Sequence, residues 1–133
     1  MSEENVEVVR RLIAAFNSGG DARLAVEIVE PGAIFEPLLA DVEGARYRGP
    51  AGMMQWILEL NEMFAEVHAD YSRIEDLGDV VLASGKTTGR SRASDVPVEQ
   101  HWFSATRFRQ GKIVSVAFRR TRAEALEAAG LSE

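Results

Sequence analysis

Few side chains in this 133-residue sequence can do chemistry unaided, and they are scattered. His68 and His101 are its two histidines, the residue type that exchanges a proton near neutral pH. His101 is the natural nominee for a proton shuttle, whereas His68 reads as a surface residue at the start of a strand. Tyr47 offers a phenol just before Gly49-Pro50, and Glu36 a carboxylate at the end of a short apolar run. Arg120 carries a planar two-donor fork that suits a carboxylate, phosphate or enolate oxygen. The chain has no cysteine, which excludes a thiolate nucleophile, a disulfide framework and cysteine-ligated zinc. Two histidines without clustered carboxylates do not make a metal site, and neither a metal nor another cofactor is expected.

The elements that must position these groups fall into two halves. Val6, Val9, Leu12, Ile13 and Phe16 recur at three- and four-residue spacings, an apolar stripe on a first helix that Asn17-Ser18-Gly19-Gly20 ends. Asp21 caps a short second helix buried through Leu24, Ala25, Ile28 and Val29, expected to pack on the first as a hairpin. Pro31-Gly32 is expected to stop it and start a strand over residues 33–36. A loop from Leu38 to Arg48 leads to Gly49-Pro50, where proline suits the first position of a third helix running to about Ala65. From Val67 the period becomes strand-like, with turn signals at residues 76–79, 94–97 and 110–112. Four strands follow, at about 67–74, 80–90, 98–109 and 113–118, and connections this short make them an antiparallel meander. Thr121-Arg122-Ala123-Glu124 fits a capping box for a last helix ending near Gly130.

Composition bounds the rest. A chain of this length with 46% hydrophobic residues buries one core, so residues 1–133 read as a single domain. The start, Met1-Ser2-Glu3-Glu4, is acidic where a signal peptide is basic, and no apolar run approaches the roughly 20 residues of a membrane span. A cytoplasmic protein without a membrane partner is expected. The net charge of −6 is unevenly spread: between Lys86 and Arg122 nine Lys or Arg face only Asp95 and Glu99, while the remainder is strongly acidic. The basic half either attracts an anionic ligand or pairs with the acidic helices of its own fold or of a second subunit. Its basic residues alternate with apolar ones and carry no nucleic-acid motif, so nucleic acid is not an expected partner.

Four segments carry a resemblance: Ala15-Phe16-Asn17-Ser18-Gly19, Tyr47-Arg48-Gly49-Pro50-Ala51-Gly52, Phe108-Arg109-Gln110-Gly111-Lys112-Ile113-Val114, and Arg122 to Leu131. In this order the chain resembles the SnoaL-like branch of the nuclear transport factor 2-like superfamily, along nearly its whole length. The resemblance implies an α+β fold, a cone-shaped cystatin-like roll. Three N-terminal helices and a strongly bent, mostly antiparallel sheet would enclose a pocket, with a short C-terminal helix and dimers through the outer sheet face. It leaves function open among cyclases, isomerases, hydrolases, dehydratases and non-catalytic members.

The places of a ketosteroid isomerase's base and two oxyanion donors fall on Pro37, Leu12 and Ser104, none of which can take those roles. No Asp-Arg pair sits in a late strand as in the related epoxide hydrolases. If Ser104 faces inward, so do Trp102, Thr106 and Phe108, and His101, Phe103, Ala105 and Arg107 face out as the dimer surface. Val114, Val116, Phe118 and Arg120 would point inward on the last strand, although a bulge would reverse this. Arg120 then either binds an anionic group or pairs with Glu36 or Asp41 at the rim. Glu36 points away if Phe35 points in, and Tyr47 either meets a ligand or pins its loop to the third helix.

The expected lining is Phe16, Phe35, Tyr47, Met53, Trp56, Trp102, Ser104, Thr106, Phe118 and Arg120. Weak catalytic candidates are Arg120, Tyr47, Ser104, His101 and Glu36. Two functions remain open. One is a homodimer binding a small hydrophobic molecule, anionic where Arg120 anchors it, with cofactor-independent cyclase or isomerase chemistry on a polyketide-like or terpenoid-like substrate. The other is a non-catalytic dimeric ligand-binding or interaction domain. The first requires a cavity of a few hundred Å3.

Overall fold

The computed structural model describes residues 2–38 and 47–131, so most of the expected 38–48 loop, Asp41 included, lies outside the described residues. Helix α1 spans Ser2–Asn17 and α2 Ala22–Ile28, with the Asp21 carboxylate accepting from the Leu24 N–H at 3.0 Å. Strand β1, Val29–Glu36, starts earlier than the Pro31-Gly32 signal suggests. The residue before a proline disfavours helix, which pushes the chain into extended form by Glu30. Pro31 and Gly32 sit in the stretch between Val29 and Ile34 where the pairing register shifts, a place that asks for no regular ladder bond.

A two-residue strand not expected from the sequence, β2 (Tyr47–Arg48), pairs antiparallel with β1 and runs into α3, Gly49–Met63. Gly49 has φ +69°, and a Cβ there would lie 2.6 Å from the Pro31 carbonyl oxygen, so this corner requires glycine. The meander is β3 (Phe64–Asp76), β4 (Val80–Ser91), β5 (Pro97–Arg109) and β6 (Lys112–Arg119). Helix α4, Arg122–Ala128, closes the chain. Thr121 caps it, its hydroxyl oxygen accepting from the Glu124 N–H at 3.1 Å.

The six strands form one sheet in the order β2-β1-β6-β5-β4-β3, antiparallel except where β1 lies parallel to β6. β3 and β4 carry the bend. Their register shifts twice, between Ala65 and His68, where Glu66 adopts φ +57°, and between Tyr71 and Arg73. Such bulges bend a strand and tighten its twist. Gly85, paired with Tyr71 on one side and Trp102 on the other, lets the backbones close: a Cβ there would lie 2.2 Å from the Asp70 carbonyl oxygen and 2.7 Å from the Tyr71 Cα.

Two apolar cores result. The inner one fills the cone between α1, α2, α3 and the sheet, around Val9, Ile28, Phe35, Ile57, Val81 and Ile113. The outer one lies behind the sheet, where Ala125 and Leu126 of α4, with Ala129 at its end, cover Val80, Leu82 and Ala105. The continuous buried run Val80–Ala83 is the signature of a strand covered on both faces. The expected helical hairpin is not a tight pair: α1 lies along β3, α2 packs on α3, and an open cleft of about 470 Å3 lined by Arg11, Ser18, Arg23 and Glu27 runs between them. Asn17 fastens the end of α1 to the sheet. Its amide accepts from the Ala69 N–H at 2.7 Å and donates to the Ala69 carbonyl at 2.9 Å.

The basic half of the sequence pairs with acids of its own fold, but on strands rather than helices. Arg109 meets Glu30 and Arg119 meets Glu36, each at 2.6 Å, and Arg122 meets Glu75 at 2.9 Å. Among the described residues no helix is long and apolar enough to cross a membrane.

Gly85→Ala should cost about 1–3 kcal/mol, as overpacking does, because its methyl must displace β3 backbone. Gly32→Ala, whose methyl meets nothing within 4 Å, should leave the urea midpoint unchanged or raised. Equal midpoints for the two variants would show that the close approach does not constrain the sheet.

Candidate functional site

The cone encloses a cavity of about 850 Å3, in the range that holds drug-sized ligands. Each element contributes through its own periodicity. Leu12 and Phe16 face it from α1, Trp56, Glu59 and Leu60 from α3, and Trp102, Ser104 and Thr106 alternate into it along β5. Aromatic rings form a continuous wall: Phe16 to Trp56 at 5.6 Å between centroids, then Trp56 to Phe118 and Phe118 to Trp102 at 5.5 Å each. These spacings are those of favourable tilted and edge-on ring pairs. The Trp102 indole N–H donates to the Thr87 hydroxyl at 2.9 Å, which fixes its ring plane.

Eight of the ten expected lining residues stand there: Phe16, Phe35, Tyr47, Trp56, Trp102, Ser104, Thr106 and Phe118. Met53 does not. It is 1% exposed and shares its helix face with Ile57 in the packed core, so it supports the wall from behind. Arg120 does not either; it lies past the end of β6, exposed and outside the lining. Its neighbour Arg119 is the residue that pairs with Glu36, as the outward parity of both requires. The inward row of β6 also starts one residue earlier than expected. A bulge between Arg107 and Phe108 sets Phe108 opposite Ile113, so Ile113 is buried and Val114 is displaced.

Pro37, Leu12 and Ser104, the positions that the sequence resemblance would give to a base and two oxyanion donors, all line the cavity, and none of their side chains is an acid. Ser104 and Thr106 are 5% and 2% exposed, and among the described residues neither hydroxyl has a hydrogen-bond partner. Neither oxygen is sealed off, so each is presented to the cavity.

His101 stays outside. Its exposed ring sets Nε2 3.0 Å from Glu99, an acid at the cavity border, and His68 pairs in the same way with Asp70 at 3.1 Å. Among the described residues no cluster of His, Asp and Glu could hold a metal. The outer face expected to serve a second subunit is largely used within the chain. Ala105 is buried under α4, Phe103 packs against the same cluster and Arg107 donates to the Ala129 carbonyl. His101 remains exposed beside Lys86 and Glu99, on a polar strip.

One functional group escaped the sequence reading. Glu59 lines the cavity one turn from Trp56, and its carboxylate accepts from the Tyr47 hydroxyl at 2.5 Å and from the Gln55 amide at 2.9 Å. Tyr47 thus both lines the cavity and pins its strand to α3. The Tyr47 bond, with a smaller contribution from Gln55, holds the Glu59 pKa below the usual carboxylate value. The signal was an acid at the three-and-four spacing that puts Glu59 on the same helix face as Trp56, Leu60 and Met63.

The sequence profile of the SnoaL-like domain family matches residues 9–116. No curated protein is detectably similar in sequence. Among solved structures the chain is similar to a hypothetical protein with a ketosteroid isomerase-like fold from Catenulispora acidiphila in complex with trimethylamine, at 19% identity and TM-score 0.74, over 94% of this chain and 93% of that one. It is similar to a SnoaL-like polyketide cyclase from a Jannaschia species, described as putative, at 18% identity and TM-score 0.75, over 87% and 84%. It is also similar to TerC co-crystallised with polyporic acid, at 15% identity and TM-score 0.72, over 86% and 89%. Identities this low carry the fold alone.

Removing the Tyr47 hydroxyl should move the Glu59 titration up toward the ordinary carboxylate value, as read by carboxyl-carbon NMR in Tyr47→Phe. Because the folded pKa is the depressed one, this bond's stabilisation is present above the unfolded pKa and lost as pH falls through the folded value. The variant should therefore lose less stability than the parent on acidification. An unmoved Glu59 titration would show that the bond is not what sets it.

Proposed function

We propose, from the premise that this chain belongs to the SnoaL-like domain family, that it binds a small, largely apolar molecule inside the cone. The observation that carries this is the cavity itself, about 850 Å3 of mostly apolar wall with a few convergent polar groups. Two fold neighbours were crystallised with small molecules, trimethylamine and polyporic acid, which supports such a use of the fold. A flat ring system of polyketide-like or terpenoid-like kind suits the wall formed by Phe16, Trp56, Phe118 and Trp102. The hydroxyls of Ser104 and Thr106 orient it from within, and Tyr47 with Glu59 from one side.

Among the described residues, cyclase or isomerase chemistry in this cavity has Tyr47 and Glu59 to run on, because the other lining acid, Glu99, is already paired with Lys86 and His101, and His101, Arg120 and Glu36 lie outside the lining. A carboxylate whose pKa is lowered is a weak base, and general-base catalysis is most effective near the operating pH. The arrangement therefore favours holding and orienting a ligand over abstracting its proton.

A thermal-shift panel of neutral flat hydrophobic compounds should raise the melting temperature; a ligand at a hundred times its Kd adds about 2.7 kcal/mol. Leu12→Trp, which fills the cavity from α1, should weaken every hit at least about tenfold while the far-ultraviolet circular dichroism is kept. Hits that bind this variant undiminished would place binding elsewhere, and a panel without hits would remove the proposal.

A further inference from the structure

We propose that the ligand is a hydrophobic amine bound as its ammonium ion, with the charged nitrogen at Glu59 and the apolar body along the aromatic wall. This rests on the cone being a small-molecule site and names the class of molecule it selects.

The charges of the lining are one-sided. Among the described residues the cavity is bordered by two carboxylates, Glu59 and Glu99, and by no lysine, arginine or histidine. The two acids are not equivalent. Glu99 is already matched, with Lys86 at 3.5 Å and His101 at 3.0 Å. Glu59 is bonded only to the neutral donors Tyr47 and Gln55 among the described residues, so its negative charge is stabilised without being cancelled. The chain's basic residues, which suggested an anionic ligand, are elsewhere: Arg109, Arg119 and Arg122 are held by Glu30, Glu36 and Glu75, and Arg120 is outside the lining.

The rings sharpen the selection. Trp56 and Glu59 stand three residues apart on α3 and so share one face of the helix. Trp56 also touches Phe16 and Phe118. Aromatic faces are electron-rich: they attract a cation and oppose an anion. The Trp102 N–H, a donor that might have received an anion, is spent on Thr87.

Deeper along β5, the nine-tenths-buried hydroxyls of Ser104 and Thr106, without partners among the described residues, can each donate and accept. They fit an uncharged polar group at the other end of the ligand. An amine with a basicity like that of a lysine side chain is protonated at neutral pH and supplies the cation that Glu59 and the rings select.

The test uses three probes of one shape: 2-naphthylmethylamine, 2-naphthalenemethanol and 2-naphthoate. Binding is read at pH 7 by calorimetry and by the fluorescence of the two tryptophans, Trp56 and Trp102, both of which line the cavity. The amine should bind tightest and the carboxylate weakest, the amine exceeding the alcohol by roughly tenfold, as expected of a partly exposed ion pair joined to a cation–ring contact. In Glu59→Gln the amine-to-alcohol ratio should fall to near one. Equal binding of the three probes, a preference for the carboxylate, or an unchanged ratio in the variant would overturn the ammonium site and leave apolar binding standing. Failure of all three to bind would overturn both.

Discussion

Everything inside the cone depends on how closely β3 can be laid across β4. Gly85 sets that distance, because any side chain there would meet the backbone of Asp70 and Tyr71. The two register shifts in β3 supply the bend, and the missing Cβ supplies the clearance. On its other side Gly85 faces Trp102, so the row Tyr71, Gly85, Trp102 joins the curvature of the sheet to the position of an indole in the cavity wall. A flatter sheet would leave the helices to close on themselves and fill the space. The empty volume is thus a property of the backbone path first and of the lining side chains second.

β5 then serves two environments at once. Trp102, Ser104 and Thr106 face the cavity, while Phe103 and Ala105 are packed beneath α4. Arg122 holds the start of that helix to Glu75 on β3, and Arg107 holds its end through the Ala129 carbonyl. The cavity wall is therefore backed by a second core. This is why three of the four residues expected to face another subunit are occupied within their own chain, and why a strand with a hollow on one side can keep its side chains fixed.

The parts of the fold legible in the sequence are those governed by neighbours along the chain. Asp21 and Thr121 cap helices as their types dictate, and the turn signals place the strands of the meander. Alternation along β5 sends Ser104 inward and His101 outward. What was not legible depends on contacts between distant segments. The bulge at Val114 is a mismatch between two strands, and neither strand records it alone. Arg120 left the expected row because β6 ends at Arg119 and the chain turns into α4. Glu59 joins the site through its bond from Tyr47, twelve residues earlier, a pairing that the periodicity of the helix does not record. The one uncompensated charge among the site's described residues thus came from pairing two segments, whereas its apolar wall could be listed from periodicity.

The bonds between Asn17 and Ala69 have a consequence for the molecule's behaviour in company. Among the described residues the sheet ends at β2, two residues long, and at β3, thirteen residues long and with no strand beyond it. A long unpaired edge is a template on which a foreign strand can add. Here the Asn17 amide takes both the N–H and the C=O of Ala69, near the middle of that edge, and the bulges on either side throw the remaining groups out of line. An incoming chain would find no unbroken ladder to extend. A residue that ends a helix in this way also guards the protein against fibre growth, keeping a bent, hollow sheet from becoming the seed of a flat and solid one.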